Sequence, residues 1–172
     1  MESVEVFVAD EQSEVEVDPL RWVRLARMVL EEQGVRGDAE LSMLFVDEKA
    51  MSDLNERFLG RDGPTDVLAF PMDDELVESG RQPDQGGRGP GSPAEPSDAP
   101  ILVGDVVICP KVAEAQSKEH VVPFDDEMSL LVVHGVLHLL GFDHEEEDEA
   151  LVMERREREL MARFKDLERG GR

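Results

Sequence analysis

The longest apolar run of the chain, residues 128–142, most constrains the fold, because it carries His134 and His138 within an otherwise nearly apolar stretch. The run is too short to span a membrane, so it predicts a buried helix. Residues four apart lie on one face of a helix, so both imidazoles can reach a single point. Gly141 is suited to end that helix, and the chain can then return His144 to the same point.

Three imidazoles and one open position form the ligand set of a catalytic zinc ion. We therefore predict that one zinc ion is bound by His134, His138 and His144. The alternative is two core histidines and one surface histidine, which does not account for the helix break between the second and the third. Such a zinc site lowers the pKa of bound water and can activate it for attack on a phosphodiester or an amide.

Three further residues can be interpreted from their positions in the sequence. Gly135 stands where the zinc-peptidase motif His-Glu-x-x-His has its general base, so a peptidase built on this helix would need a base from elsewhere. Gly135 either opens the helix surface to a substrate or allows close helix packing. Asp143 either orients a ligand imidazole, acts as a base or caps the last helix. His120 lies in a polar context and is expected at the surface.

The composition sets limits on partners and on location. The 172 residues suit one domain, and the net charge of −23 disfavours a nucleic-acid partner unless a local basic groove exists. The single cysteine, Cys109, excludes an intramolecular disulfide and is expected to be a small buried residue. The start of the chain lacks the pattern of a signal peptide. We expect a cytoplasmic protein with no membrane partner.

Alternating and apolar segments predict four strands interleaved with about five helices. The predicted strands cover residues 4–9, 41–46, 67–70 and 101–109. The predicted helices begin at Pro19, at Glu48 behind a capping Asp47, at Pro110, near Asp125 and at Glu145. This order predicts an α+β (mixed α/β) domain with a small four-stranded mixed sheet.

Two charged or polar segments are predicted to lie at the surface. Residues 73–100 are rich in Gly, Pro, Ser and acidic residues, so we predict a flexible insertion within a single domain over 1–172. The arginines and glutamates around residues 155–158 are expected to form a solvated helix face without a specific function.

A second constellation, residues 55–71, combines a helix end, a Gly/Pro turn and a short strand. Thr65 and Asp66 can hydrogen-bond backbone amides and hold that turn rigid. Arg57 and Arg61 either contact phosphate or are simply exposed. The segment alone does not indicate a function.

The two segments together resemble the YbeY family of bacterial endoribonucleases, the rRNA maturation factors. Residues 134–144 match the family's metal motif, H-G-x-L-H-L-x-G-[YF]-D-H, at every fixed position. Residues 63–71 resemble its P-T-D-V-L-S-F-P segment, with Ala69 in place of serine. Residues 104–109 are similar to its G-D-[IV]-V-I strand. The resemblance covers nearly the whole chain.

This resemblance implies a zincin-like helix and a zinc ion held by His134, His138 and His144. It also implies single-strand-specific endoribonuclease activity in rRNA processing, notably at the 3′ end of the small-subunit rRNA, and in ribosome quality control. The partners that it implies are RNA, the small ribosomal subunit and assembly factors such as the GTPase Era.

The chain departs from the family pattern at two places. Many members carry a functionally important arginine at the position of Leu59, and the insertion is longer than usual and acidic. Either Arg57 or Arg61 takes over the phosphate contact, or the activity is weaker than in other members. With Asp143 the two arginines are the candidate catalytic residues, and Lys111 is a further candidate for a basic groove.

Two other functions stay open from the sequence. An open metal site also suits a zinc peptidase-like hydrolase, although the missing helical glutamate counts against it. A non-enzymatic ribosome-assembly binder with a structural metal is favoured by Leu59 and by the acidic composition.

Overall fold

The computed structural model describes residues 4–72, 101–142 and 145–170, and within them the chain forms four strands and five helices. The strands are β1 (Val4–Asp10), β2 (Ala39–Phe45), β3 (Val67–Pro71) and β4 (Ile101–Ile108). The helices are α1 (Pro19–Glu32), α2 (Glu48–Leu59), α3 (Pro110–His120), α4 (Phe124–Leu139) and α5 (Glu147–Gly170). The predicted insertion at 73–100 lies outside the described residues.

The strands form one mixed sheet in the order β1-β2-β4-β3. Strand β2 pairs in parallel with β1 and with β4, and a β-bulge interrupts the second pairing. Strand β3 is antiparallel to β4, with Val67 opposite Ile108. Parallel neighbours need long crossover connections, and α1 supplies the one between β1 and β2. The predicted α+β class with a small four-stranded mixed sheet is confirmed.

Helices cover both faces of this sheet, because successive side chains of a strand point to opposite sides. Val106 packs in the larger core with α1, α4 and α5, and this core contains the buried Trp22. Val107 packs on the other face against Met51 of α2 and against Cys109. Burial raises the pKa of the Cys109 thiol, which matches the expected small buried residue.

Two predicted helix ends are confirmed by their hydrogen bonds. Asp47 Oδ1 accepts the Ala50 amide at 2.8 Å and caps the start of α2. Helix α4 ends before Gly141, whose φ of 104° is a conformation that glycine adopts readily. Just beyond it, the Phe142 amide donates to the Leu137 carbonyl at 3.0 Å and closes the last turn of α4.

Two glycines allow α4 to lie close against the sheet. A Cβ on Gly135 would lie 2.8 Å from Val106 Cγ1, so this face of the helix is packed rather than open to a substrate. Of the two roles considered for Gly135, close packing is therefore the correct one. Gly104 has a φ of 142°, and a Cβ there would lie 2.5 Å from the Phe70 oxygen and 2.9 Å from Leu139 Cδ2. The close contacts at these two glycines determine the packing distance between α4 and strands β3 and β4.

Observed strand limits differ from the predicted ones by one or two residues, as is usual at element ends. Within the described ranges, no helix combines the length and the apolar character that crossing a bilayer requires.

Candidate metal site

The two histidines of α4 lie together on one side of the helix. The ring centroids of His134 and His138 are 5.3 Å apart, with an angle of 68° between the ring planes. The His134 side chain is 29% exposed, so its ring is only partly covered by the fold. The helix and the shared face that the spacing predicted are confirmed, whereas a metal ion between the rings stays a prediction.

A buried carboxylate from α5 contacts the first of these imidazoles. Glu157 Oε2 lies 2.6 Å from His134 Nδ1, although the two residues are 23 positions apart. Glu157 is only 7% exposed. A carboxylate can only accept, so Nδ1 of a neutral His134 carries the proton and Nε2 is the ring nitrogen able to coordinate a metal.

Glu157 is not among the predicted site residues, because the charges around it predict a solvated helix face. That prediction is wrong for this residue. Glu157 follows Met153 by four positions and precedes Leu160 by three, and both neighbours are 1% exposed. Its place on the apolar stripe of α5 was thus a signal in the sequence, since a carboxylate at a buried helix position needs a partner.

The third predicted ligand, His144, and the neighbouring Asp143 lie outside the described residues. Among residues 4–72, 101–142 and 145–170, no group of three His, Cys, Asp or Glu side chains is gathered in a way that could hold a metal ion. The structure therefore places two of the three predicted ligands, and the role of Asp143 stays a prediction.

A second carboxylate–imidazole contact lies at the start of α4. His120 Nδ1 is 3.1 Å from Glu127 Oε1, with the His120 side chain 55% exposed and that of Glu127 4% exposed. With its amide nitrogen turned toward them, Gln116 donates to Glu127 Oε2 at 3.1 Å and to Asp66 Oδ2 at 3.2 Å. Asp66 Oδ1 also accepts the Val67 amide at 2.7 Å. His120 is at the surface, as predicted, but its ring contacts the buried carboxylate of Glu127.

The hydrogen bonds of Gln116 and a side chain of α2 fix the turn before β3. Asn55 Nδ2 donates to the Gly63 carbonyl at 2.9 Å. The predicted contact of Asp66 with a backbone amide is confirmed, whereas the Thr65 hydroxyl contacts Asp66 Oδ1 at 3.4 Å. The turn is therefore held from two sides, by α2 and by α3.

Both candidate arginines are exposed, and Arg57 lies beside an exposed aromatic ring. The Arg57 guanidinium lies 6.0 Å from the Phe58 ring centroid, and Phe58 is 55% exposed. Neither Arg57 nor Arg61 forms a side-chain hydrogen bond or ion pair with the described part of the chain. The Lys111 ammonium, in contrast, lies 3.5 Å from a glutamate carboxylate on its own helix.

Contacts across β3 and β4 link this aromatic surface to the histidine helix. The Phe58 and Phe70 rings meet edge to face with centroids 5.2 Å apart. The Phe70 carbonyl and the side chain of Leu139 both lie against Gly104, and Leu139 directly follows His138. The exposed aromatic and the second histidine are thus joined through a few packed residues.

The sequence matches a known family over most of its length. The family described as endoribonuclease YbeY matches residues 7–165. An endoribonuclease YbeY from Frankia casuarinae is 45% identical over 157 residues, which cover 91% of this chain and 73% of the relative. An endoribonuclease YbeY from Beutenbergia cavernae is 46% identical over 153 residues, which cover 89% of this chain and 93% of the relative.

A solved structure supports the fold. The solution structure of a Thermotoga maritima protein superimposes with a TM-score of 0.55, covering 94% of this chain and 92% of that one, at 23% identity. At that identity the likeness concerns the fold alone. On the extent of the sequence match, the chain belongs to the endoribonuclease YbeY family, as the motif resemblance predicted.

Proposed function

We propose that this protein is a zinc-dependent, single-strand-specific endoribonuclease that acts in rRNA processing and ribosome quality control. The observation that carries the proposal is the His134–His138 pair on one face of α4, with His134 contacted by a buried carboxylate. Family membership favours RNA over peptide bonds as the substrate. The peptidase alternative is disfavoured further, because Gly135 is packed against Val106 and position 135 therefore has no room for the side chain of a general base.

The described residues fit a zinc ion by the chemistry of their donors. Neutral imidazole is a preferred zinc ligand, and a carboxylate that accepts the proton of the other ring nitrogen commonly accompanies it. We propose that His134 and His138 hold the ion together with His144. The chemistry that such an ion supplies is Lewis acidity and activation of a water molecule.

The surface around the turn before β3 is suited to single-stranded RNA. Arg57 and Arg61 offer guanidinium groups for phosphate oxygens, and Phe58 offers an exposed ring on which an unpaired base can stack. Bases are available for stacking in single strands, which gives a physical reason for the proposed strand preference. These local cations also allow RNA binding despite the net charge of −23. For Asp143 we propose a role as base or as orienting group.

We further propose that the substrate is the 3′ end of the small-subunit rRNA. The small ribosomal subunit and assembly factors such as the GTPase Era are the proposed partners. Support comes from the match to the family motif at residues 134–144 and from the length of the family match. Because Leu59 replaces the arginine of many members, we assign phosphate contact to the two flanking arginines.

The test combines metal removal with a ligand substitution. Wild-type protein is stripped with a chelator, assayed on a single-stranded RNA, and assayed again after zinc is added back. We expect cleavage to disappear and to return, and we expect His138→Ala to show neither bound zinc nor cleavage. Cleavage by protein that metal analysis shows to be zinc-free would contradict the proposal, as would turnover of an unstructured peptide but not of RNA.

A further inference from the structure

We infer that Glu157 is a positioning residue that orients the His134 imidazole for metal coordination. The inference rests on the proposed zinc site and extends it to a residue outside the histidine motif. It assigns a role to a glutamate of α5 whose surrounding charges were predicted to form a solvated helix face without a specific function.

Glu157 contacts the His134 imidazole directly. Glu157 Oε2 and His134 Nδ1 are 2.6 Å apart, a distance typical of a short, charge-assisted hydrogen bond. The Glu157 side chain is 9% exposed, so water competes little for that oxygen. The bond fixes both the rotation of the ring and the nitrogen that carries the proton, which leaves the Nε2 lone pair directed away from Glu157.

The helix that carries Glu157 is held in place by buried neighbours. Met153 and Leu160, one turn to either side of Glu157, are each 1% exposed, and Phe164 continues the same buried stripe. Helix α5 is therefore docked on the core by apolar side chains. The Cα atom of Glu157 is therefore held beside His134, and its carboxylate meets the imidazole from one side.

Burying the carboxylate of Glu157 costs desolvation free energy. A buried carboxylate pays a large desolvation penalty, and a buried ion pair usually adds little net stability over an apolar pair of similar size. The apolar stripe already docks α5, so fastening the helix does not require a charged residue at position 157. A carboxylate in contact with a candidate metal ligand has a specific task there, because it makes the imidazole a better-oriented and more basic ligand.

The experiment measures zinc affinity by competition with a chromophoric chelator in wild-type protein and in Glu157→Gln. The amide keeps the size of the side chain and removes its charge, so we expect zinc affinity to fall roughly 10–100-fold. Glu127→Gln is the matched control, because Glu127 is also a buried carboxylate in contact with an imidazole. We expect that variant to bind zinc as the wild type does. Wild-type affinity in folded Glu157→Gln would overturn the inference.

A second measurement does not depend on metal or on RNA cleavage. Nitrogen-15 NMR of the metal-free wild type reports which ring nitrogen of His134 is protonated. We expect the proton on Nδ1, and a proton on Nε2 would overturn the inference even if Glu157→Gln did not fold. Failure of the proposed function looks different, since a wild type without zinc or RNA cleavage could still show His134 protonated at Nδ1.

Discussion

In the described part of the chain, two buried carboxylates contact an imidazole, one in the first turn of α4 and the other at His134 in its second half. Glu127, in the first turn of α4, lies 3.1 Å from His120, and Glu157 of α5 lies 2.6 Å from His134. Both carboxylate side chains are under 10% exposed, at 4% and 9%. Burial and residue types therefore do not distinguish the two pairs.

The surroundings of the two carboxylate–imidazole pairs differ. Next to His134 lies a second imidazole, that of His138, at 5.3 Å between ring centroids. The Glu127 carboxylate is shared with Gln116, which also reaches Asp66 before β3. The Glu157–His134 pair presents a ring to a neighbouring donor. The Glu127–His120 pair, together with Gln116, connects α3, α4 and the turn before β3. A second donor beside the imidazole is therefore the difference between the two pairs, and it is why we propose a metal site at His134 and not at His120.

The largest expected effect comes from removing each imidazole in turn. His134→Ala deletes a proposed ligand, so we expect zinc affinity to fall by more than the roughly 100-fold that loss of an outer partner costs. His120→Ala should leave zinc affinity unchanged and lower the free energy of unfolding by about 1–3 kcal/mol, because Glu127 loses a partner. Calorimetric zinc titration and urea unfolding measure the two quantities. An equal fall in zinc affinity in both variants would show that the two carboxylate–imidazole pairs do not differ in metal binding.

A smaller effect, on the free energy of unfolding, is expected from Gly135→Ala, because Gly135 lets α4 and its histidines lie close to the sheet. A Cβ on Gly135 would lie only 2.8 Å from Cγ1 of the branched Val106 side chain, so Gly135→Ala forces either Val106 or α4 to shift. We expect a loss of about 1–3 kcal/mol in the free energy of unfolding, from which the better helix propensity of alanine subtracts up to about 1 kcal/mol.

Gly170→Ala is the control for this variant, because a Cβ at that helical glycine would meet no atom within 4 Å. Its stability should be equal to that of the wild type or slightly higher in the same urea titration. If Gly135→Ala were as stable as Gly170→Ala, close packing would not fix the position of the histidines.

The sequence predicted the parts of the site that depend on local geometry. The helical period puts His134 and His138 on one face, and the freedom of glycine explains why α4 ends before Gly141. Asp47 was likewise identified as a cap from its place before an amphipathic segment. Each of these features depends on residues within two turns of one another.

Features that depend on docking could not be predicted in the same way. The role of Gly135 stayed open, because it depends on Val106, which faces it from another element. Glu157 and Gln116 acquire their partners only once α5 and α3 are packed against α4 and the turn before β3. The burial of Glu157 was nevertheless detectable from its spacing to Met153 and Leu160.

The central claim is that the imidazoles of α4 hold one zinc ion. Anomalous diffraction at the zinc absorption edge, from crystals of zinc-loaded protein, tests it most directly. We expect a single peak in coordinating contact with Nε2 of His134 and with a ring nitrogen of His138. A peak bound elsewhere, or none at these two rings in protein that cleaves RNA, would contradict the claim.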